Sequence, residues 1–253
     1  MRSLIPLLLQ VVCSAPSVLG MGARRPLPLD APSRLRVELE ARVESQHLET
    51  PAHFLYLFGY QGPRNLAKDS HTFASVVRVN AAGRQEWVDI SWLPADFAQT
   101  QQICVFQNLG DALLGELSNT DRCEPIRGHS FRLAETLAWA RGPRKTAGIW
   151  GPFEITPHAF ALGARRLTHL RSGQMKYIAD DRDKRETGTA INCMHAVSDL
   201  TKELSSSGGV LGTGYRNWGL LGSQHALAHM FDKGRKLFKE QVDVNVFRKF
   251  ESP

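Results

Sequence analysis

Apolar and polar positions along this chain alternate between strand and helix periods in short segments. "AHFLYLFGY" (residues 52–60) is an unbroken apolar and aromatic run, the pattern of a strand buried on both faces. After the loop "QGPRNLAKDS", "HTFASVVRV" (71–79) leads through "NAAGR" into "QEWVDISWL" (85–93). This pair reads as a β-hairpin with Gly83 in the turn and Pro94 as the stop. "LRVELEARVE" (35–44) alternates apolar and charged residues and reads as a half-buried strand. Helical spacing appears in "FRLAETLAWAR" (131–141), ended by Gly142-Pro143. It appears again in "HAFALGARRLTHLRS", which has Thr156-Pro157 at its start and Gly173 after its end. "AGIWGPFEI" (147–155) and "MKYIAD" (175–180) read as short strands, "DDRDKRETG" as an exposed charged loop, and "SSSGGVLGTG" (205–214) as a glycine-rich turn region. In "CMHAVSDLTKEL", Ala196, Val197 and Leu200 have helical spacing, which places Cys193 at a helix N-terminus. "SQHALAHMFDKGRKLF" (223–238) reads as a closing helix. No internal repeat or composition shift divides 35–240. The expectation is therefore one α+β domain, an antiparallel sheet packed with helices, followed by a tail over 241–253.

The chain has 253 residues, 42% hydrophobic and 22% charged, enough to bury a proper core. Its formal charge of +6 suits an anionic partner such as a cell-envelope surface. It carries no run of five Lys or Arg and no aromatics interleaved with basic residues, so a nucleic-acid partner is not expected. The N-terminus reads as an export signal over residues 1–20. Arg2 supplies the positive start, "LIPLLLQVV" is an apolar stretch too short to span a bilayer, and "SVLG" offers a small-residue cleavage site. Residues 21–34, rich in Pro and Arg, read as a flexible leader. The expected location is thus exported: periplasmic, envelope-associated or secreted.

Export changes the reading of the cysteines. Cys13 leaves with the signal, Cys104 and Cys123 are spaced for a structural disulfide in an oxidising compartment, and Cys193 remains unpaired. A leftover thiol is either a buried packing residue or is kept for its reactivity. At a helix start, the positive end of the helix dipole favours the thiolate. A base within reach would complete a nucleophile. His195 is two residues on and points elsewhere on a helix. His71 opens a strand from which it can project toward a packed helix. Asn192 and His195 flank the cysteine in supporting positions, and Gln61, just ahead of the histidine strand, could donate to an oxyanion. Metal chemistry is not expected, because Cys-x-His is not a zinc-finger spacing and "DDRD" lacks the glycine and terminal glutamate of a calcium loop. "GVLGTG" lacks the following Lys-Ser or Lys-Thr of a phosphate cradle, so no cofactor is expected.

The "NCMH" of residues 192–195 resembles the "NC-x-H" nucleophile helix of lecithin:retinol acyltransferase-like proteins, which are circularly permuted papain-like cysteine hydrolases. "HTFASVV" resembles that family's histidine strand with its hairpin partner following. The resemblance implies a permuted papain-like fold with Cys193 as nucleophile, His71 as general base, and a polar residue on the next strand, Asp89 or Ser91, orienting the base. The implied activity is that of a thiol hydrolase (amidase or peptidase) or an acyltransferase working through a Cys193 thioester. Its substrate would be an amide or ester of the cell envelope: a peptide, a peptidoglycan-type compound or a lipid acyl compound. The alternative is a non-catalytic envelope or partner-binding protein on the same fold, with Cys193 buried.

Overall fold

The computed structural model describes residues 31–64, 69–101, 103, 124–142, 144–179, 188–201 and 219–250. The expected export signal, the Cys104–Cys123 pair, most of the charged loop after Ala179 and the glycine-rich segment 205–214 lie outside these residues. The architecture is α+β. β1 (Ala52–Gln61) is the middle strand of a five-stranded antiparallel sheet and is flanked by β2 (His71–Val79) and β6 (Thr146–Glu154). β3 (Gln85–Ile90) lies outside β2, and β9 (Arg248–Lys249) outside β6, giving the order β3-β2-β1-β6-β9. The C-terminal segment read as a tail thus contributes an edge strand.

The unbroken apolar run of β1 follows from its position. Phe54, Tyr56, Phe58 and Tyr60 point to one face, where they meet Phe73 and Val77 together with α1 (Ala31–Ser45) and the helix Leu133–Ala140. Leu55 and Leu57 point to the other face, with Ala74, Val76, Ala196, Val197, Leu227 and Met230. Both faces of the sheet are covered by helices, so neither alternate set can be polar. The hairpin turn is as expected: Gly83 has φ +71°, and its N–H donates to the Asn80 carbonyl at 2.9 Å.

The hairpin's second strand divides. β3 stays in the first sheet, and at Ser91 the chain crosses into β4 (Trp92–Pro94), the first strand of a second sheet in which β4, β5 (Ile126–Ser130), β7 (Lys176–Tyr177) and β8 (Ala190–Ile191) lie side by side in that order. α2 (Phe97–Thr100) follows β4, and β5 (Ile126–Ser130) pairs with it. α3 (Leu133–Ala140) packs below the first sheet. α4 (Pro157–Arg171) begins as its sequence predicts, with the Thr156 side chain accepting from the Ala159 N–H at 3.2 Å. β7 (Lys176–Tyr177) and β8 (Ala190–Ile191) lead into α5 (Cys193–Ser198). α6 (Gly219–Gly234) closes over β1 and β2, against α5.

Residues 35–44, expected as a strand, are helical and belong to α1, which starts inside the expected leader. Leu35, Leu39 and Val43 are four apart, and an α-helix places them on one stripe; Leu35 and Leu39 are buried, whereas Val37 is 51% exposed. No helix of the described residues is long and apolar enough to cross a membrane.

Candidate functional site

The start of α5 is held from several directions. Trp92 Nε1 and the Ile178 N–H both donate to the Ile191 carbonyl, at 3.2 and 3.1 Å. Asn192 is extended (φ −89°, ψ 177°), its Oδ1 accepts from the His195 N–H at 2.9 Å, and its Nδ2 donates to the Ala179 carbonyl at 3.3 Å. Asn192 is therefore the N-cap, and Cys193 is the first helical residue. At the other end, buried Arg166 of α4 donates to the Ala196 and His195 carbonyls at 3.1 and 3.2 Å and pairs with Asp199 at 3.5 Å. A short helix has little stability of its own. Here a side-chain cap, a buried guanidinium and full burial of residues 193–198 supply what length does not.

His71 is the first residue of β2 and lies opposite Tyr60, with ring centroids 5.7 Å apart edge to face. Its Nε2 is 3.0 Å from Ser91 Oγ, which in turn accepts from Thr136 Oγ1 of α3 at 2.7 Å. Its buried Nδ1 has no hydrogen-bond partner among the described residues. A serine hydroxyl both accepts and donates, so Ser91 can hold Nε2 in either tautomer. With the proton on Nε2, Nδ1 presents a bare lone pair, the form a general base requires.

Strand register selects Ser91 over Asp89 as the residue that orients His71. Asp89 lies opposite Ser75, four residues along β2 from His71, or roughly 13 Å at the rise of a strand. Its carboxylate accepts from Ser75 Oγ at 2.8 Å and from the Leu133 N–H at 2.9 Å. Asp89 thus joins β2 and β3 to the start of α3. Ser91 sits where the chain changes sheets, its N–H donating to Ser130 Oγ at 3.2 Å and its carbonyl accepting from Phe131 at 3.0 Å.

Cys193 reaches the same end of β2. α5 packs on that strand, and the backbone N–H groups of Thr72, Met194 and Cys193 itself favour the thiolate. Burial outweighs them and pushes the thiol up to about 11. The helix start therefore does not lower this pKa as expected, because the dipole acts on a side chain already removed from water. Burial, then the nearby Lys145, pulls His71 down to about 3. An uncharged serine partner adds nothing to oppose that fall. At neutral pH Cys193 is a thiol and His71 a neutral imidazole, and no hydrogen bond joins them in this structure: His71 Nδ1 is without a partner among the described residues. Tyr60 and Tyr177 also lie in the field of Cys193, and burial raises the pKa of each.

The other candidates have structural partners. Gln61 Oε1 accepts from the Leu220 N–H at 3.1 Å, which ties the end of β1 to the first turn of α6, so its carbonyl caps a helix. His195 is fully buried inside α5, its N–H taken by Asn192 and its carbonyl by Arg166. Thr72, which turns to the opposite face from His71, bonds Ser223 of α6 through Oγ1 at 2.8 Å. The sequence reading missed Thr72, whose N–H faces the thiol, Tyr60, which lies near both Cys193 and His71, Thr136, which supports Ser91, and Lys145, which lies near His71; register rather than motif places them. Among the described residues, no group of three His, Cys, Asp or Glu side chains is placed to hold a metal ion. Comparison with known proteins brings no match to a family model, a curated protein or a solved structure.

Proposed function

We propose that this chain is an exported, permuted papain-like thiol hydrolase or acyltransferase that works through a thioester on Cys193 with His71 as base. The observation that carries the reading is the unpartnered Nδ1 of His71. Its other nitrogen is fixed by Ser91, and the next residue's N–H faces the thiol of a helix-start cysteine. A base needs one nitrogen held and the other open to the nucleophile.

Transferring the Cys193 proton to His71 in the resting site crosses a gap between pKa values of about 11 and about 3. At about 1.36 kcal/mol per unit this is roughly 11 kcal/mol, less whatever the attraction of the two new charges returns. No preformed ion pair is expected. Instead the proton moves to Nδ1 as Sγ bonds to the substrate carbonyl carbon. The N–H groups of Cys193 and Met194 are the first two of α5 and have no intrahelical acceptor, so they suit the developing oxyanion. Collapse of the tetrahedral adduct breaks the bond to the amine or alcohol, which leaves with the proton from His71. Water or an acceptor nucleophile then cleaves the thioester, with His71 again taking a proton.

Burial of Cys193 favours a second reading, a non-catalytic envelope or partner-binding protein with an inert thiol. A chromogenic ester such as p-nitrophenyl acetate decides between them. The enzyme reading expects a stoichiometric burst and an acetyl group on the Cys193 peptide, with no burst in Cys193→Ala. His71→Gln should acylate roughly a hundredfold more slowly. An acetyl group that appears on Cys193 only after denaturation refutes the catalytic reading and leaves the second.

A further inference from the structure

Lys145 immediately precedes β6 and is half-buried. Its Nζ lies 4.6 Å from the centroid of the Tyr60 ring, over the π-face. The register carries it to the site: Thr146 and Ala147 pair with Gln61 and Tyr60, and Tyr60 pairs with His71 on its other side. Thr72, whose N–H faces the thiol, pairs with Gly59, the neighbour of Tyr60. The ammonium therefore sits at the sheet end shared by His71 and Cys193. Burial depresses its pKa, and the field of Asp69 opposes this. Among the described residues no hydrogen-bond acceptor lies on Nζ, whose three donors are left to a ring face, a carboxylate's field and solvent. A partly desolvated cation with open donors is matched by an anion brought to it.

We propose that Lys145 determines the specificity of this site, selecting acyl donors that carry a carboxylate near the scissile carbonyl. The inference rests on Cys193 and His71 acting as described above. It narrows the substrate class to acidic, peptide-type donors over neutral lipid esters, because a neutral ester brings no charge to match the partly desolvated ammonium. The fixed positive charge would also raise the local concentration of anionic donors.

The test alkylates Cys193 in the full-length protein with iodoacetate and iodoacetamide, two probes of similar size that differ in charge. Both need the thiolate, so the ratio of their rates cancels any change in thiol ionisation. In the native protein the iodoacetate-to-iodoacetamide ratio should exceed that of free cysteine by roughly threefold to tenfold, and added salt should lower it. Lys145→Gln should bring the ratio down to that of free cysteine, Lys145→Glu should take it lower, and Lys145→Arg should keep it high. Should the Lys145 variants misfold, the salt dependence in the wild-type chain still decides. If iodoacetamide labels Cys193 but the wild-type ratio equals that of free cysteine, or does not respond to Lys145→Gln, this inference fails and the catalytic reading stands. If neither probe labels native Cys193, the catalytic reading fails and takes this inference with it.

Discussion

Acidification should destabilise this fold through His71. The imidazole is 1% exposed and held neutral, with a pKa near 3 in the folded protein against 6.5 for an ordinary histidine. Below 6.5 the unfolded chain takes up a proton that the folded chain refuses. The contribution of His71 to stability is therefore complete above 6.5 and is lost as pH falls toward 3. At about 1.36 kcal/mol per unit, the loss is roughly 3 kcal/mol by about pH 4 and approaches roughly 5 kcal/mol near pH 3. The groups facing the ring do not offset it, since Ser91 and Tyr60 are uncharged and Lys145 repels a second cation. The perturbation is His71→Gln, which keeps a polar group toward Ser91 and removes the titration. Urea unfolding at a series of pH values gives the slope of stability against pH for each protein. Subtracting the variant's slope removes the carboxylates and other histidines common to both. The difference should correspond to a melting temperature roughly 6–12 °C further down for wild type at about pH 4 than at neutral pH, relative to the variant. Parallel pH dependences, within about 0.5 kcal/mol, would refute the buried neutral imidazole and the base assigned to it.

Two further outcomes test how the site is held. Gly59→Ala puts a Cβ 2.2 Å from Ser223 Oγ and 2.9 Å from Ser223 Cβ, so rotating the hydroxyl cannot relieve it. α6 must move off β1 at a cost of roughly 1–3 kcal/mol, which chemical denaturation should read as a lower midpoint; an unchanged midpoint for Gly59→Ala would show that α6 does not pack this closely. Ser91→Ala strands Nε2 of His71, a loss of roughly 1–3 kcal/mol. His71→Phe/Ser91→Ala, which removes both partners, should be more stable than Ser91→Ala, and the opposite order would place the hydrogen bond elsewhere.

Local chemistry was enough to read much of the fold from the sequence alone. A glycine that tolerates positive φ made the turn at Gly83, and Thr156-Pro157 opened α4. The helical spacing of Ala196, Val197 and Leu200 put Cys193 at a helix start, and only the structure showed Asn192 as its N-cap. Even the burial of β1 on both faces was visible in a run with no polar alternation. The error at 35–44 arose because Leu35, Val37 and Leu39 satisfy a strand by twos and Leu35, Leu39 and Val43 a helix by fours, and only packing beneath the sheet decides which set is buried. The candidate site divides along the same line. Cys193 and His71 could be nominated from residue type and position. Choosing Ser91 over Asp89 depended on strand register, which shifts a side chain by several ångströms per residue. Tyr60, Thr136 and Lys145 were invisible because each comes from a different segment, and no spacing along the chain records which segments the fold brings to the end of β2 where His71 stands. The ionisation of Cys193 depended on tertiary structure most of all. A helix start argues for a thiolate, but removal from water argues more strongly for a thiol, and burial is a property of the whole fold that no local stretch of residues carries.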